Sequence, residues 1–283
     1  MVKEPVAARA AEGPSNTILT WPLPEPGFTN EPGARPGLSV FRLPIPTRNK
    51  VHIWAASLDV APSVQSAFEQ TLSSSERVRA ARFHFAELRD RYIVAHGWLR
   101  RLLGGYLSIP ADAVEFQYGS QGKPALTSST NSSELQFNLA HCEAVALVAV
   151  ACGTPVGIDV ERVRNLHDAG ELVERFFSTR ENSEFKLLPE DQKPVAFFNL
   201  WTRKEAWLKA TGEGIAHLLA SVEVSFLPGT PARLLSLPEK FLPIANWTVS
   251  AVSPGPGLAA AVVVAGDHAD LECWRWDHEI VGI

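Results

Sequence analysis

Cysteine, methionine and tyrosine are scarce: three, one and three residues in a chain of 283. The cysteines, Cys142, Cys152 and Cys273, are odd in number and show no C-x-x-C spacing. That excludes a disulfide scaffold and a four-cysteine zinc site, and it suits a reducing cytosol. None of the eight histidines falls into H-x-x-x-H, so a zincin is excluded. Positive charge is not in excess either: 26 Lys+Arg stand against 31 Asp+Glu, a formal net charge of -5. A nucleic-acid binder working through a global basic field is excluded, while a local basic pocket for a phosphorylated small molecule is not. No run can span a membrane. The longest uncharged stretch, Phe241 to Gly266, is broken by Pro243, Pro254, Gly255, Pro256 and Gly257. The start carries Lys3, Glu4 and Arg9 and no apolar segment, unlike a signal peptide. Gly122-Lys123 is followed by Pro124, which rules out a Walker A loop.

What is present is a globular composition, 46% hydrophobic and 20% charged, too apolar for disorder of the bulk. Nine of the 21 prolines lie in the first 50 residues, so residues 1–48 read as an extended, partly disordered leader that drapes over the domain through Trp21, Phe28 and Phe41. A first strand is expected from Val51 and a helix start at Ser73-Ser-Ser-Glu76. A longer helix is expected from about Asp90 to Leu103, ended by Gly104-Gly105. Strands follow over 114–118, 137–140, 144–151 and 156–161. Helices are expected over about 168–187 and 191–211, and closing strands over 220–227, 247–253 and 258–265. A boundary near Gly153 gives two halves, 49–153 and 154–283, each with helices and an antiparallel-type sheet.

Chemistry concentrates in two places. In Gly157-Ile-Asp-Val-Glu161 the strand alternation turns Asp159 and Glu161 to one face and Ile158 and Val160 to the other. Two carboxylates side by side favour a cation between them, and hard oxygen ligands suit Mg²⁺. Alone, D-x-E is common on solvated strands. In Trp201-Thr-Arg-Lys-Glu-Ala-Trp-Leu-Lys-Ala-Thr-Gly-Glu-Gly214, Glu205 and Lys209 share a helix face, adding a carboxylate and a cation where phosphate and metal could meet. Alone, that is an ordinary surface ion pair. Arg77, Arg79, Arg82, Arg89 and Arg91 form a basic cluster, and Arg favours bidentate phosphate contacts.

In this order, Arg82-Phe83, Gly122-Lys-Pro, Phe137-Asn-x-x-His141, Gly157-Ile-Asp-Val-Glu161, Phe176-Phe-Ser178 and Trp201-x-x-Lys-Glu-Ala-x-x-Lys209 with Gly212-x-Gly214, the chain resembles the Sfp-type 4′-phosphopantetheinyl transferases from Val51 to Ala265. The resemblance implies an α+β fold of two pseudo-symmetric halves, with the active site in the cleft between them. It implies transfer of the phosphopantetheine arm of coenzyme A to a serine of an apo acyl or peptidyl carrier protein, with 3′,5′-ADP released. It also implies a cytoplasmic monomer without nucleic-acid or membrane partners. Asp159, Glu161 and Glu205 match the family's Mg²⁺ ligands, and Glu205 also matches the base that deprotonates the serine. Lys209 matches the lysine at the bridging phosphate. Lys123, His141, Arg79 and Arg91 match coenzyme A contacts. Ala140 replaces a serine of many relatives, Glu76 replaces a basic residue of some, and the Pro-rich leader has no counterpart in the compact members. Residues 162–195, with Leu166, Leu172, Phe176, Phe177, Phe185 and Leu187, are the expected source of a carrier-docking surface, although core packing is the commoner fate of such side chains. Two rival readings use the same residues: a Mg²⁺-dependent nucleotide pyrophosphate hydrolase, and a non-catalytic module binding coenzyme A or a carrier. Fatty-acid, polyketide and non-ribosomal peptide carriers are all open as acceptors.

Overall fold

The computed structural model describes residues 21–23, 30–32, 39–131, 133–213 and 218–278. In chain order the elements are β1 (Asn30–Pro32), β2 (Ser39–Phe41), β3 (Lys50–Ser57), α1 (Pro62–Thr71), α2 (Ser74–Ala80), α3 (Ala86–Leu107), β4 (Phe116–Tyr118), β5 (Pro124–Leu126), β6 (Leu135–Cys142), β7 (Val145–Cys152) and β8 (Val156–Arg162). They continue with α4 (Ala169–Phe176), α5 (Thr179–Lys186), α6 (Lys193–Thr211), β9 (Glu223–Val224), β10 (Leu234–Ser236), β11 (Trp247–Val252), β12 (Leu258–Ala265) and β13 (Asp270–Arg275).

Two sheets dominate. One has the order β13-β3-β7-β6 and the other β11-β12-β8. Alternation along the strands gives each sheet two apolar faces. One face of each meets the other sheet: Ile53, Ala55, Leu147 and Ala149 share a core with Ile158, Val160, Ala260 and Val262. The outer face of the first sheet, with Trp54, Val148 and Val150, packs on α1 and α3 through Phe68, Trp98, Leu99 and Leu102. The outer face of the second, with Ala259, Ala261 and Val263, packs on α6 through Ala206, Trp207 and Ala210. The result is four layers, helix on sheet on sheet on helix.

Two helix starts have a clear local cause. Ser73 and Ser178 both make capping boxes, with Glu76 and Glu181 three residues on. Both acids are buried and serve a second purpose. Glu76 receives Arg100 Nε at 2.8 Å, and Glu181 receives Lys204 Nζ at 2.5 Å. The expected helix over 168–187 is therefore two helices, because Ser178 caps a new one. The helix ending at Gly104-Gly105 instead runs on to Leu107 and stops at Ser108, which adopts a left-handed φ of 56°. Gly104 serves close packing: a Cβ there would lie 2.7 Å from the Ile109 carbonyl. The strand expected over 220–227 is reduced to the two residues of β9.

The end of the chain departs from the two-halves reading. β13 returns to the first sheet and pairs parallel with β3, so that sheet is mixed and residues 270–275 belong with the first half. Trp54 and Trp274 meet at 5.0 Å and His52 Nε2 lies 3.2 Å from Glu272 Oε2, which fixes the register. Of the leader, Trp21 is buried between the sheets, and Arg275 N–H donates to the Pro22 carbonyl at 2.8 Å. Phe28 and the side chain of Phe41 lie outside the described residues.

β8 and α6 make a close contact. At Gly157 a Cβ would sit 2.2 Å from the Ala206 carbonyl oxygen and 2.3 Å from Ala210 N. Strand and helix backbones therefore touch there. Gly157→Ala should destabilise the protein by about 3 kcal/mol, the upper range for overpacking, because the neighbour is backbone and cannot swing aside. Urea unfolding of the variant against wild type measures this. Lys204→Met, which strands the buried Glu181, should cost about 3–5 kcal/mol in the same assay.

Candidate active site

The Gly157 contact sets the site. Two residues beyond it on the same face of β8, Asp159 reaches α6, and Lys209 Nζ donates to its Oδ1 at 2.7 Å. Glu205 lies one turn before Lys209 and is 6% exposed, as is Asp159. Its neighbour Lys204 is fully buried on Glu181 and on the Leu219 carbonyl (2.6 Å), and this fixes the rotation of α6. Glu161 is half-buried, with Oε2 3.7 Å from Cys142 Sγ and 3.9 Å from Arg164 Nη1. The structure thus brings Asp159, Glu205 and Lys209 together, with Glu161 two residues along the same strand face.

The electrostatics mark these acids. Burial raises the Asp159 pKa to about 6 against the pull of Lys209. Burial, reinforced by the Asp159 charge, raises that of Glu205 to about 7. Asp159 Oδ2 and Glu205 Oε1 are buried without a hydrogen-bond partner. A buried, unpartnered carboxylate oxygen is costly, and a cation relieves it. The donor set is all oxygen, which fits Mg²⁺ better than a soft metal. Among the described residues, however, no three His, Cys, Asp or Glu side chains form a ready metal-holding group. Full ligation by all three acids therefore needs side-chain rotation.

The other sequence-predicted residues divide. His141, at the end of β6, is exposed; surrounding protein, with His96 and Lys209 in electrostatic range, lowers its pKa. Arg79 is exposed and, with Ser74, Ser75, Val78, Arg82 and Phe83, lines a cavity of about 780 Å³. Arg91 is instead engaged by two acids: its Nε and Nη2 donate to Asp59 at 2.8 and 3.1 Å, and its Nη1 pairs with Glu87 at 2.7 Å. Lys123 Nζ donates to the carbonyls of Lys209, Val156 and Ala210, and burial lowers its pKa to about 8. Glu76 is buried, with Arg100 Nε on its Oε2 at 2.8 Å. Burial alone would raise its pKa, but nearby His96, the hydrogen bonds from Ser73 and the Arg100 charge outweigh burial and hold it at about 2. Gly212 closes α6 with a φ of 73°, while Gly214 lies outside the described residues. Among the apolar residues expected to form a docking surface, Phe177 and Phe185 are buried and Leu187 is exposed.

The roles of two residues escaped the sequence reading, one of them, Asn138, quoted there only as part of Phe137-Asn-x-x-His141. Asn138 is buried on β6, and its Oδ1 accepts the Ile158 N–H at 2.9 Å, tying β6 to the strand that carries the acids. A buried amide in an apolar strand is a signal in itself, since it needs a partner. His96 stacks on Tyr92 at 4.1 Å, and Arg79 lies over Tyr92 at 5.8 Å. The i,i+4 spacing of Tyr92 and His96 was visible.

The raised acids make stability fall with pH. The folded chain keeps protons on Asp159 and Glu205 up to about pH 6 and 7, whereas ordinary carboxylates lose theirs near pH 4, so folding is increasingly penalised between those limits. The histidines His52, His141 and His278, whose pKa values are lowered, act in the opposite sense and equally in wild type and Asp159→Asn. The acid contribution therefore reads out as a steeper loss of melting temperature from pH 5.5 to pH 8 in metal-free wild type than in the variant. Mg²⁺ should raise the melting temperature at pH 8, and Asp159→Asn should flatten both responses in scanning calorimetry.

Comparison with known proteins gives the family. Residues 155–263 match the model of the 4′-phosphopantetheinyl transferase superfamily, and residues 61–153 match that of the 4′-phosphopantetheinyl transferase N-terminal region. The chain is 40% identical over 228 residues to 4′-phosphopantetheinyl transferase HetI of a Nostoc species, covering 81% of this chain and 93% of that protein. It is 30% identical over 202 residues to 4′-phosphopantetheinyl transferase psf-1 of Bacillus pumilus, 71% of this chain and 83% of the relative. It is 26% identical over 204 residues to 4′-phosphopantetheinyl transferase Sfp of Bacillus subtilis, 72% and 86%. With paired acids and a lysine on the β8–α6 contact, and with likeness running through both halves, the chain belongs to the 4′-phosphopantetheinyl transferase family.

Proposed function

We propose that the protein transfers the 4′-phosphopantetheine arm of coenzyme A to a serine hydroxyl of an apo carrier protein and releases 3′,5′-ADP. The observation that carries this reading is the pair of buried acids, Asp159 and Glu205, with orphaned oxygens beside Lys209. Pyrophosphate chemistry needs cationic compensation with fixed geometry, and this site is built to supply it.

Asp159 and Glu205, with Glu161 turned toward them, would hold Mg²⁺, which would supply positive charge to the pyrophosphate. Lys209 holds its ammonium at the bridging phosphate and stabilises the departing 3′,5′-ADP. Glu205 accepts the proton of the attacking serine, directly or through a water, since a carboxylate holding a cation is a weak base. His141 and Arg79 bind the phosphate groups of coenzyme A. No helix among the described residues is long and apolar enough to cross a membrane. All the named residues come from one chain, so the reading needs no second subunit, and the three free cysteines suit a reducing cytoplasm.

The test is intact-protein mass spectrometry of an apo carrier with this chain, coenzyme A and Mg²⁺. One phosphopantetheine mass should be gained, and the gain should disappear with EDTA. Coenzyme A cleaved with no gain on any carrier class would make the protein a hydrolase, and binding without either would make it a binding module. Glu205→Gln and Lys209→Met should each lower kcat on the order of 10²-fold or more, the range for losing an acid–base or charge-stabilising group, while circular dichroism stays unchanged. Near-normal turnover of either variant would remove that residue from the mechanism.

A further inference from the structure

The turn Gly122-Lys123-Pro124 belongs to the first half, yet its lysine ends among backbone atoms of the second. The turn is fixed. Gly122 has a φ of 78°, and Gly119 N–H donates to the Lys123 carbonyl at 3.0 Å. From there Lys123 Nζ donates to the carbonyls of Lys209 (2.5 Å), Val156 (3.1 Å) and Ala210 (3.3 Å). An ammonium has three N–H groups, so all three are used.

The acceptors stand at a particular place. Lys209 and Ala210 belong to the last turn of α6, whose carbonyls lack intrahelical partners and carry the negative end of the helix dipole. Val156 directly precedes Gly157, where β8 touches α6. The ammonium therefore caps the helix and grips the strand at their crossing. Its shortest bond is to the backbone of Lys209 itself. α6 cannot slide or unwind at its end without breaking that bond. Using Lys123 to bind a phosphate would give up all three bonds, whereas Arg79 and Arg82 line an open cavity and give up none of comparable kind.

We infer that Lys123 is a positioning residue for the transfer reaction: by pinning the last turn of α6 to the start of β8, it sets where Lys209 and Glu205 stand relative to Asp159. This rests on the transferase reading above.

The test compares wild type, Lys123→Met and Lys123→Arg in the carrier assay, with coenzyme A affinity measured by titration calorimetry. For Lys123→Met, kcat should fall at least tenfold while KM and Kd for coenzyme A stay within twofold. Lys123→Arg, which keeps the charge and several donors, should recover part of kcat. A coenzyme A Kd weakened fivefold or more with kcat retained would make Lys123 a phosphate ligand and overturn the inference. A lower melting temperature with kcat and Kd both unchanged would make it merely structural, overturning it equally. If Lys123→Met does not fold, Lys123→Gln, with two N–H donors, is held to the same criteria. If wild type transfers nothing, the transferase reading fails. The positioning claim is then judged by the Mg²⁺-induced rise in melting temperature at pH 8: loss of that rise in Lys123→Met supports it, and an unchanged rise overturns it.

Discussion

The site depends on one steric fact: β8 and α6 meet backbone to backbone. A strand and a helix ordinarily stand apart by the length of their side chains. Here Gly157 removes that spacer, and the small residues Ala259 and Ala261 on the neighbouring strand leave room for the helix as well. The short side chain of Asp159 can then reach a lysine on α6, and Glu205 is drawn into the same buried space. With any larger residue at Gly157 the helix would be displaced outward, and the carboxylates would revert to ordinary solvated acids.

Closeness has an electrostatic consequence. Two acids are buried beside Lys209, which bonds Asp159, and each acid keeps an oxygen without a partner. Nothing in the packing of the second half requires this, since Trp207, Phe197 and Phe198 already provide its core. The contrast with Glu181 is instructive. That acid is at least as deeply buried, yet Lys204, its own capping box and the Val224 N–H bond both of its oxygens. The acids at the β8–α6 contact are left for something else, which is how functional groups with displaced pKa values arise.

The acids and Lys209 stand on β8 and α6, while His141 stands on β6 and Arg77 and Arg79 on α2. The bonds that reach β8 and α6 are polar and specific: Asn138 to the Ile158 backbone, and Lys123 to three carbonyls. Around these bonds lies an apolar interface of both sheets, to which Trp21 also contributes, and β13 carries the end of the chain back into the first sheet.

Local pattern made much of this readable. Alternation in Gly157-Ile-Asp-Val-Glu161 placed both acids on one face, helical spacing put Glu205 beside Lys209, and the strands over 137–151 and 247–265 followed from their apolar runs. These depend only on neighbours in the chain. Where long-range contacts decide, local pattern did not suffice. β13 is a half-polar segment that becomes a strand only because β3 offers an open edge. Gly104-Gly105 continues a helix because the chain must pass close by at Ile109. Arg91 looks like a phosphate ligand until Asp59 is brought to it, and Lys123 looks like one until the end of α6 is. By itself the sequence determined which residues could do the chemistry, through their type and local periodicity. Only the tertiary structure decided which of them are free to do it, because whether a charge is spent on a ligand or on the protein depends on partners 30 to 90 residues away, and those are set by packing.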